Sequence, residues 1–207
     1  MKKIFYTTFL AILSFNCKAQ LTIVPIQNKY NVNIQSNTYL MDVEGLLDPY
    51  VGTWLYTNGT TSLKFILRKE FNNNNGYYHE DVLYGEYQYI QDGVEKINTL
   101  NQIDNIYSSQ AKHTIGGNYI INKNVYTRCN ECEENEKRVY LFMGDPLTGG
   151  RAADLILRRI MDSGQPAIVA YIRFDGIKDI GSTIDDRETE FVDSTISNGN
   201  YILIKIN

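Results

Sequence analysis

The sequence predicts an all-β protein built as one curled antiparallel barrel, with a two-sheet β-sandwich as the alternative. Short segments with strand-like alternation follow one another along the chain and are separated by Asn-Gly, Asp-Gly and other turn sequences. Aromatic residues make up 12% of the chain and include 16 tyrosines, which suit half-buried sheet faces. Regularly spaced short strands joined by turn residues are typical of antiparallel barrels and sandwiches.

The N-terminus has the pattern of an export signal. Lys2 and Lys3 precede an apolar run over residues 4–15, and small residues at Cys17 and Ala19 occupy the positions that a signal peptidase reads. This run is shorter than the roughly 20 residues of a membrane span. We predict a signal peptide over 1–19, with acylation of Cys17 as a lipid anchor as the alternative. The expected location is the periplasm, the outer-membrane surface or the medium.

Two further regions follow the leader. Residues 20–47 are predicted to form an extended N-terminal arm that packs along the domain, with a disordered tether as the alternative. Residues 48–207 are predicted to form a single β-barrel-like domain, which is long enough to bury a substantial core.

The first two strands of this domain form the clearest hairpin in the sequence. Asn58 and Gly59 predict a two-residue type I′ turn, because both tolerate positive φ. After the turn, apolar residues at every second position predict a strand with one buried face. We expect one core to contain Trp54, Leu63, Phe65, Leu67, Ile202 and Ile204.

Seven more strands are predicted in order, over residues 77–90, 94–100, 115–126, 139–143, 155–161, 167–174 and 201–206. The first of these is the longest and carries Gly85 at its middle. A glycine inside a long strand predicts a bulge or a sharp bend, as a curling sheet requires. The strand over 94–100 is expected to continue the antiparallel meander.

Two resemblances are carried by the start of the domain. The run GTW (52–54) resembles the Gly-x-Trp signature of lipocalin-type barrels, in which the tryptophan closes one end. The longer pattern LDPYVGTW (47–54), LKFILRKE (63–70) and EDVLYGEY (80–87) resembles an uncharacterised family of small exported proteins from Gram-negative bacteria, a domain of unknown function. That resemblance covers about residues 46–100 and implies no activity.

The charge balance argues against nucleic-acid binding. The chain has 20 Lys and Arg against 24 Asp and Glu, for a net charge of −4, and removal of the lysines in the leader makes it more acidic. An acidic surface repels phosphate, and the sequence has no basic stripe.

The pair Cys129 and Cys132 is the most specific local motif in the sequence. An export signal and an even number of mature cysteines favour a small structural disulfide. Free thiols, a metal site and a redox pair are the alternatives.

No catalytic, metal or cofactor site is predicted. The two histidines, His79 and His113, have no positioned nucleophile in the sequence, so we do not expect an enzyme. A group of acidic residues near the C-terminus fits a solvated loop better than a calcium site, because its spacing matches no known binding loop. Its members are Asp175, Asp179, Asp185, Asp186 and Glu188.

Two functions follow as hypotheses for an exported protein of unknown activity. In the first, the barrel holds a small apolar or amphipathic ligand in a pocket lined by Trp54, Tyr87, Tyr89 and Phe142. In the second, side chains fill the barrel and the protein is an envelope-associated protein-interaction or structural module. The expected partner is therefore a small apolar ligand or an envelope protein, and an apolar cavity inside the barrel distinguishes the two.

Overall fold

A computed structural model describes residues 21–125, 128–148, 151–174 and 194–206 of the chain. These residues form one eleven-stranded sheet. The strands are β1 (Thr22–Pro25), β2 (Thr38–Met41), β3 (Gly52–Asn58), β4 (Thr61–Asn74), β5 (His79–Gln91), β6 (Val94–Asn98), β7 (Ile115–Ile121), β8 (Arg138–Asp145), β9 (Arg151–Asp162), β10 (Gln165–Arg173) and β11 (Gly199–Lys205). Short 3₁₀ turns lie at Ile26–Asn31, Asp48–Tyr50, Leu100–Gln102 and Gln110–Lys112.

Eight of the strands close into an antiparallel barrel. Around the wall the order is β3, β4, β5, β7, β8, β9, β10 and β11, and β11 returns to pair with β3. Neighbours along the chain are therefore neighbours in the wall, except where β6 intervenes. The predicted all-β barrel is confirmed, and its up-and-down order is consistent with a lipocalin-like architecture.

The predicted antiparallel pairing of β6 with β5 is confirmed, but β6 lies outside the closed wall of the barrel. β6 pairs antiparallel with the last residues of β5, but the barrel wall continues through β7, which pairs with β5 at Leu83–Gly85. β5 is 13 residues long, so one edge accommodates β2 at its start, β7 at its middle and β6 at its end. A local turn signal predicts the β5–β6 hairpin but carries no information about the long-range pairing with β7.

The β3–β4 hairpin is confirmed, with its turn one residue later than predicted. Asn58 pairs with Thr61, so Gly59 and Thr60 are the central turn residues. Gly59 has φ of 58°, whereas Asn58 and Thr60 do not have positive φ. Only the first central position therefore requires glycine, which is the requirement of a type II′ turn.

The barrel interior is filled by side chains from all eight wall strands. Trp54 exposes 1% of its surface, and Phe65 and Tyr87 expose none. The other interior residues exposed by 1% or less include Leu63, Leu67, Leu83, Leu141, Met143, Leu155, Leu157, Ile168, Ile172 and Leu203. The large rings pack closely against the aliphatic side chains. This core removes much of the apolar surface from water and so stabilises the fold.

The predicted facing of β11 was wrong. Leu203 lies in the core, whereas Ile202 is 46% exposed and Ile204 is only partly buried. Both faces of this strand are apolar, so alternation alone does not decide between them. The inward face also carries Lys205, whose ammonium lies 5.3 Å from the centre of the Trp54 ring and donates to the carbonyl of Val51.

Gly85 marks a close approach of two backbones. A Cβ atom at this position would lie 2.3 Å from the carbonyl oxygen of Ile66 and 2.7 Å from Cδ2 of Leu67. Gly85 therefore allows the close approach of β4 and β5, whereas the register shift in this pair lies at Glu70–Asn73 and not at the predicted position.

The N-terminal arm packs against one end of the barrel. β1 and β2 pair in parallel, and β2 adds in parallel to the start of β5. Ile26, Leu40, Leu47 and Tyr50 from the arm and the following turn are each exposed by 2% or less and join the barrel core. The arm thus closes the end of the barrel at which β3 begins.

Candidate functional site

Of the four residues predicted to line a ligand pocket, three lie inside the barrel and one lies on its outer wall. Trp54, Tyr87 and Tyr89 are buried inside the barrel, with 3% exposure at most. Phe142 is 47% exposed on the outer wall, because its neighbours on β8, Leu141 and Met143, point inward. Four clefts described by the structure have volumes of about 760, 170, 350 and 390 Å³, and none of these four is lined by the three interior residues.

The motif residues of the sequence meet at the closed end of the barrel. The ammonium of Lys69, in the second half of β4, lies 2.7 Å from Asp42 and 2.6 Å from Asp48. Asp42 also accepts the backbone N–H groups of Leu46 and Leu47 at 2.7 and 2.9 Å. Burial alone would lower the pKa of Lys69, but its hydrogen bonds with the two aspartates raise the pKa above its usual value.

Asp81 extends this network on the adjoining strand. Its carboxylate accepts the backbone N–H groups of Asp42 and Asn72 and the hydroxyl of Tyr39. Asp81 is 1% exposed, so these donors replace the water that a buried carboxylate loses. The arrangement positions the arm on the barrel, and its groups are engaged with one another, which indicates a structural role.

Tyrosine burial predicts that the fold is lost at alkaline pH. Burial, followed by the hydrogen bond to Asp81, raises the pKa of Tyr39 from 10.0 to about 12, and burial raises that of Tyr201 to about 12. Because the fold favours the neutral phenols, their stabilisation is complete below pH 10 and is lost as the pH rises through about 12. We expect tyrosinate absorbance and loss of the circular dichroism signal to appear together in this range. Ionisation of most tyrosines with the fold intact would contradict this expectation.

The predicted disulfide between Cys129 and Cys132 is confirmed. It lies in the connection between β7 and β8, and Arg158 of β9 holds the same connection through Glu136 at 2.8 Å. Burial alone would raise the pKa of Glu136, but the hydrogen bond from Arg158 lowers it below its usual value. Disulfide and ion pair together fix one wall of the 760 Å³ cleft at the closed end.

The two histidines differ in how firmly they are held. The imidazole of His113 lies 2.7 Å from Glu86 and 2.9 Å from Gln110 through its two nitrogens, and its side chain is fully buried. Glu86 is also fully buried and accepts the hydroxyl of Thr114 at 2.5 Å. These hydrogen bonds hold residues 99–114 over the outer face of β5. His79 makes a long contact of 3.4 Å with the carbonyl of Asn72.

An aromatic strip lies on the outer wall, formed by Tyr30, Tyr119, Tyr140 and Phe142. Tyr30 stacks on Tyr119 with 5.4 Å between ring centres, and Tyr119 lies 5.8 Å from Tyr140 and 6.4 Å from Phe142. Tyr30 and Phe142 at its ends are 56% and 47% exposed. Sequence reasoning missed this strip, because the outward residues of β8 alternate with equally apolar inward ones. The pairing of Tyr119 with Tyr140 across β7 and β8 depends on the register.

A polar cleft of about 390 Å³ begins beside Tyr30, between the arm and the end of β7. Four carboxamides line it, from Gln27, Asn28, Asn31 and Asn122. The sequence analysis places the first three residues in the arm and Asn122 in the strand predicted over 115–126, and only the folded arm brings them together. The cleft and the strip form the candidate binding surface of the molecule.

Other predicted features are tested only in part. The leader with Cys17 and the five acidic residues considered for calcium lie outside the described residues. Within the described ranges, no cluster of three or more His, Cys, Asp or Glu side chains is arranged to hold a metal ion. The same part of the chain contains no helix with the length and apolarity needed to cross a membrane.

Comparison with known proteins identifies a family for this chain. A family model described as a family of unknown function matches residues 1–206, which is nearly the whole chain. No curated protein and no solved structure matches the chain.

Proposed function

The chain belongs to the family of unknown function DUF6705, and we propose that it is an exported interaction module with a side-chain-filled barrel. The family description names no activity, so the proposal depends on the structure. The module recognises its partner in the cell envelope through its outer wall. Its proposed location is the periplasm, the outer-membrane surface or the medium.

The filled interior is the observation that carries this proposal. A pocket for a small apolar ligand has a volume of roughly 300–1,000 Å³ and is lined mainly by apolar side chains. Trp54, Phe65 and Tyr87 instead occupy the space inside the barrel, and each is exposed by 1% or less. This packing supports an interaction module over a carrier of apolar ligands.

The aromatic residues on the outer wall of the barrel also support the proposal of an interaction module. Exposed aromatic residues that lie together, rather than singly, are typical of binding surfaces. Phe142 and Tyr30 are such residues, and their rings are held by contacts with Tyr119 and Tyr140. Holding the rings in place before binding reduces the conformational entropy that is lost on association.

Export and the lack of enzymatic activity are parts of the same proposal. The sequence at 1–19 supports export, with either cleavage after Ala19 or acylation at Cys17. The contacts of His113 support a non-enzymatic role, because both of its nitrogens are held by Glu86 and Gln110 away from solvent.

The experiment measures how tightly two variants, each with one exposed phenylalanine replaced, bind to washed envelope fragments from the native cell. Phe142→Ser removes the end of the aromatic strip, and we expect at least about tenfold weaker binding, since an aromatic anchor of an interface contributes a kcal/mol or more. Phe71→Ser is the matched control, because Phe71 is 62% exposed on β4, a strand that carries no residue of the strip. We expect its binding to equal that of the wild type.

A second measurement tests the filled barrel directly. Native mass spectrometry of protein purified from its own envelope should show the mature chain without a bound lipid-like molecule. Recovery of a stoichiometric apolar ligand would contradict the filled barrel, and equal binding of Phe142→Ser and wild type would contradict the role of the outer wall.

A further inference from the structure

The disulfide between Cys129 and Cys132 bridges a segment that other contacts already hold. The two cysteines are three positions apart in the sequence. Because the stabilisation from a cross-link falls with the length of the loop that it closes, this bridge contributes little to the stability of the fold. Arg158 of β9 holds the same segment, since it donates to the carbonyl of Glu131 at 2.7 Å and to the carboxylate of Glu136 at 2.8 Å. These hydrogen bonds do not involve the bridge, so a role for the bridge beyond structure is compatible with the fold.

The two cysteines differ in exposure. Cys129 is partly exposed and lines a cavity of about 170 Å³ between the β7–β8 connection and the strands β9 to β11. Cys132 is 6% exposed and is not among the described residues that line this cavity. Thiol–disulfide exchange begins when a thiolate reaches one sulfur of the bridge, so access decides which sulfur is attacked. Cys129 is therefore the reachable half of the disulfide.

Three arginines line the same cavity as Cys129, namely Arg128, Arg138 and Arg158. Burial lowers the pKa of Arg138 below its usual value, and the charge of Arg158 lowers it further. A negative charge is therefore favoured in this cavity. A cysteine beside arginines is more readily present as the thiolate, which is the form that reacts and the form that leaves in an exchange.

The carboxylates of the connection oppose these arginines only in part. Glu131 is the one carboxylate among the described residues that line the cavity, and its side chain is 86% exposed. Glu136 is paired with Arg158 at 2.8 Å, whereas Glu133 and Glu134 are exposed. Solvent screens exposed charges more strongly than buried ones. The two further arginines of the cavity therefore outweigh its single exposed carboxylate.

We propose that Cys129 and Cys132 form a thiol–disulfide exchange site that oxidises the thiols of another molecule. A substrate thiolate attacks Sγ of Cys129, the bond to Sγ of Cys132 breaks, and Cys132 leaves as a thiolate and takes up a proton. A second substrate thiolate attacks the substrate sulfur of the mixed disulfide, and Cys129 leaves as a thiolate beside the arginines. The substrate loses two electrons and becomes a disulfide, and the cysteine pair gains them. The inference does not depend on the partner that the outer wall recognises.

The test uses the purified protein with glutathione as the thiol probe. Alkylation and mass spectrometry measure the fraction of the pair that is in the dithiol form in mixtures of reduced and oxidised glutathione. We expect the pair to change between the two forms within these mixtures while the far-ultraviolet circular dichroism stays unchanged. A pair that stays oxidised in a large excess of reduced glutathione, or that is reduced only as the fold is lost, would overturn the inference.

Single-cysteine variants test which sulfur reacts. With oxidised glutathione, Cys132→Ser should form a mixed disulfide at Cys129 at least about tenfold faster than Cys129→Ser forms one at Cys132. Peptide mapping by mass spectrometry locates each adduct and separates it from any adduct at Cys17. Equal rates for the two variants would show that Cys129 is not the attacked residue, and the proposed site would be wrong.

A charge variant tests the arginines of the cavity. In the Cys132→Ser background, Arg128→Gln should slow the alkylation of Cys129 by iodoacetamide at neutral pH and shift its pH profile upward, because the thiolate loses a neighbouring positive charge. Lys96→Gln is the control, since Lys96 is exposed on β6 and does not line the cavity. Identical pH profiles for Arg128→Gln and Lys96→Gln would contradict the role of the arginines and with it the proposed exchange site.

Discussion

Replacing Trp54 by alanine is expected to lower the free energy of unfolding by about 3–5 kcal/mol. The indole is 1% exposed, and its N–H donates to the carbonyl of Tyr50 at 2.7 Å. It therefore joins the start of β3 to the turn that closes the barrel, and Lys205 of β11 lies over its ring. A small domain is stable by roughly 5–15 kcal/mol, so this variant should be at or near the limit of folding.

Trp54→Phe is the matched variant for this prediction. It keeps an aromatic ring in the core but removes the hydrogen bond to Tyr50, so we expect a smaller loss of about 1–3 kcal/mol. Urea unfolding followed by far-ultraviolet circular dichroism is the suitable measurement, because each variant removes the only tryptophan and its fluorescence. A Trp54→Ala midpoint close to that of the wild type would show that the indole does not join these elements.

Local sequence signals account for much of the barrel. The turn at Gly59, the alternation from Leu63 to Leu67 and the Gly-x-Trp start at Trp54 all act over a few residues, and the structure contains the elements that they predict. Each of these signals is a property of one strand or one turn. Pairing between chain neighbours builds most of the wall, whereas closure of the barrel needs the long-range pairing of β11 with β3.

The wrong predictions concern which face of a strand points inward, because this facing depends on pairing with residues that are distant in the sequence. Ile202 and Leu203 are both apolar, and the pairing of Leu203 with Ile168 of β10 selects the inward face. On β8, Phe142 and Leu141 are also both apolar, so the sequence does not show which of them points inward. The pairing of β8 with β7 and β9 determines this facing. For such strands, the sequence alternation is compatible with either facing.

The candidate binding surface was hidden from the sequence for a different reason. Gln27 and Asn31 lie in one turn of the arm, while Asn122 follows β7. Polar residues in turns are ordinarily solvated, and only the docking of the arm at the closed end gathers them around one cleft. The motif at Asp48, Lys69 and Asp81 marks this docking, so the sequence indicates where the arm is held but not what the resulting surface binds.

Replacing Asp42 by alanine is expected to release the arm and to destabilise the protein by about 3–5 kcal/mol, because it removes one partner of a buried ion pair. The side chain of Asp42 is fully buried and that of Lys69 is 5% exposed, so water does not compensate the ammonium that is left. Asp48 still lies 2.6 Å from Lys69, but its side chain is 61% exposed and its interaction is weakened by solvent. The backbone N–H groups of Leu46 and Leu47 also lose their acceptor.

A double-mutant cycle distinguishes this network from simple loss of packing. Asp42→Asn retains the shape of the side chain, and Lys69→Met removes the charge that faces it. Because each single variant leaves a buried partner unpaired, we expect the double variant to be less destabilised than the sum of the two by about 0.5–3 kcal/mol. Urea unfolding measures all four proteins, and hydrogen exchange of the backbone amides in β1 and β2 should rise in each single variant. Additive effects within about 0.5 kcal/mol would show that Asp42 and Lys69 act independently, and that another contact holds the arm on the barrel.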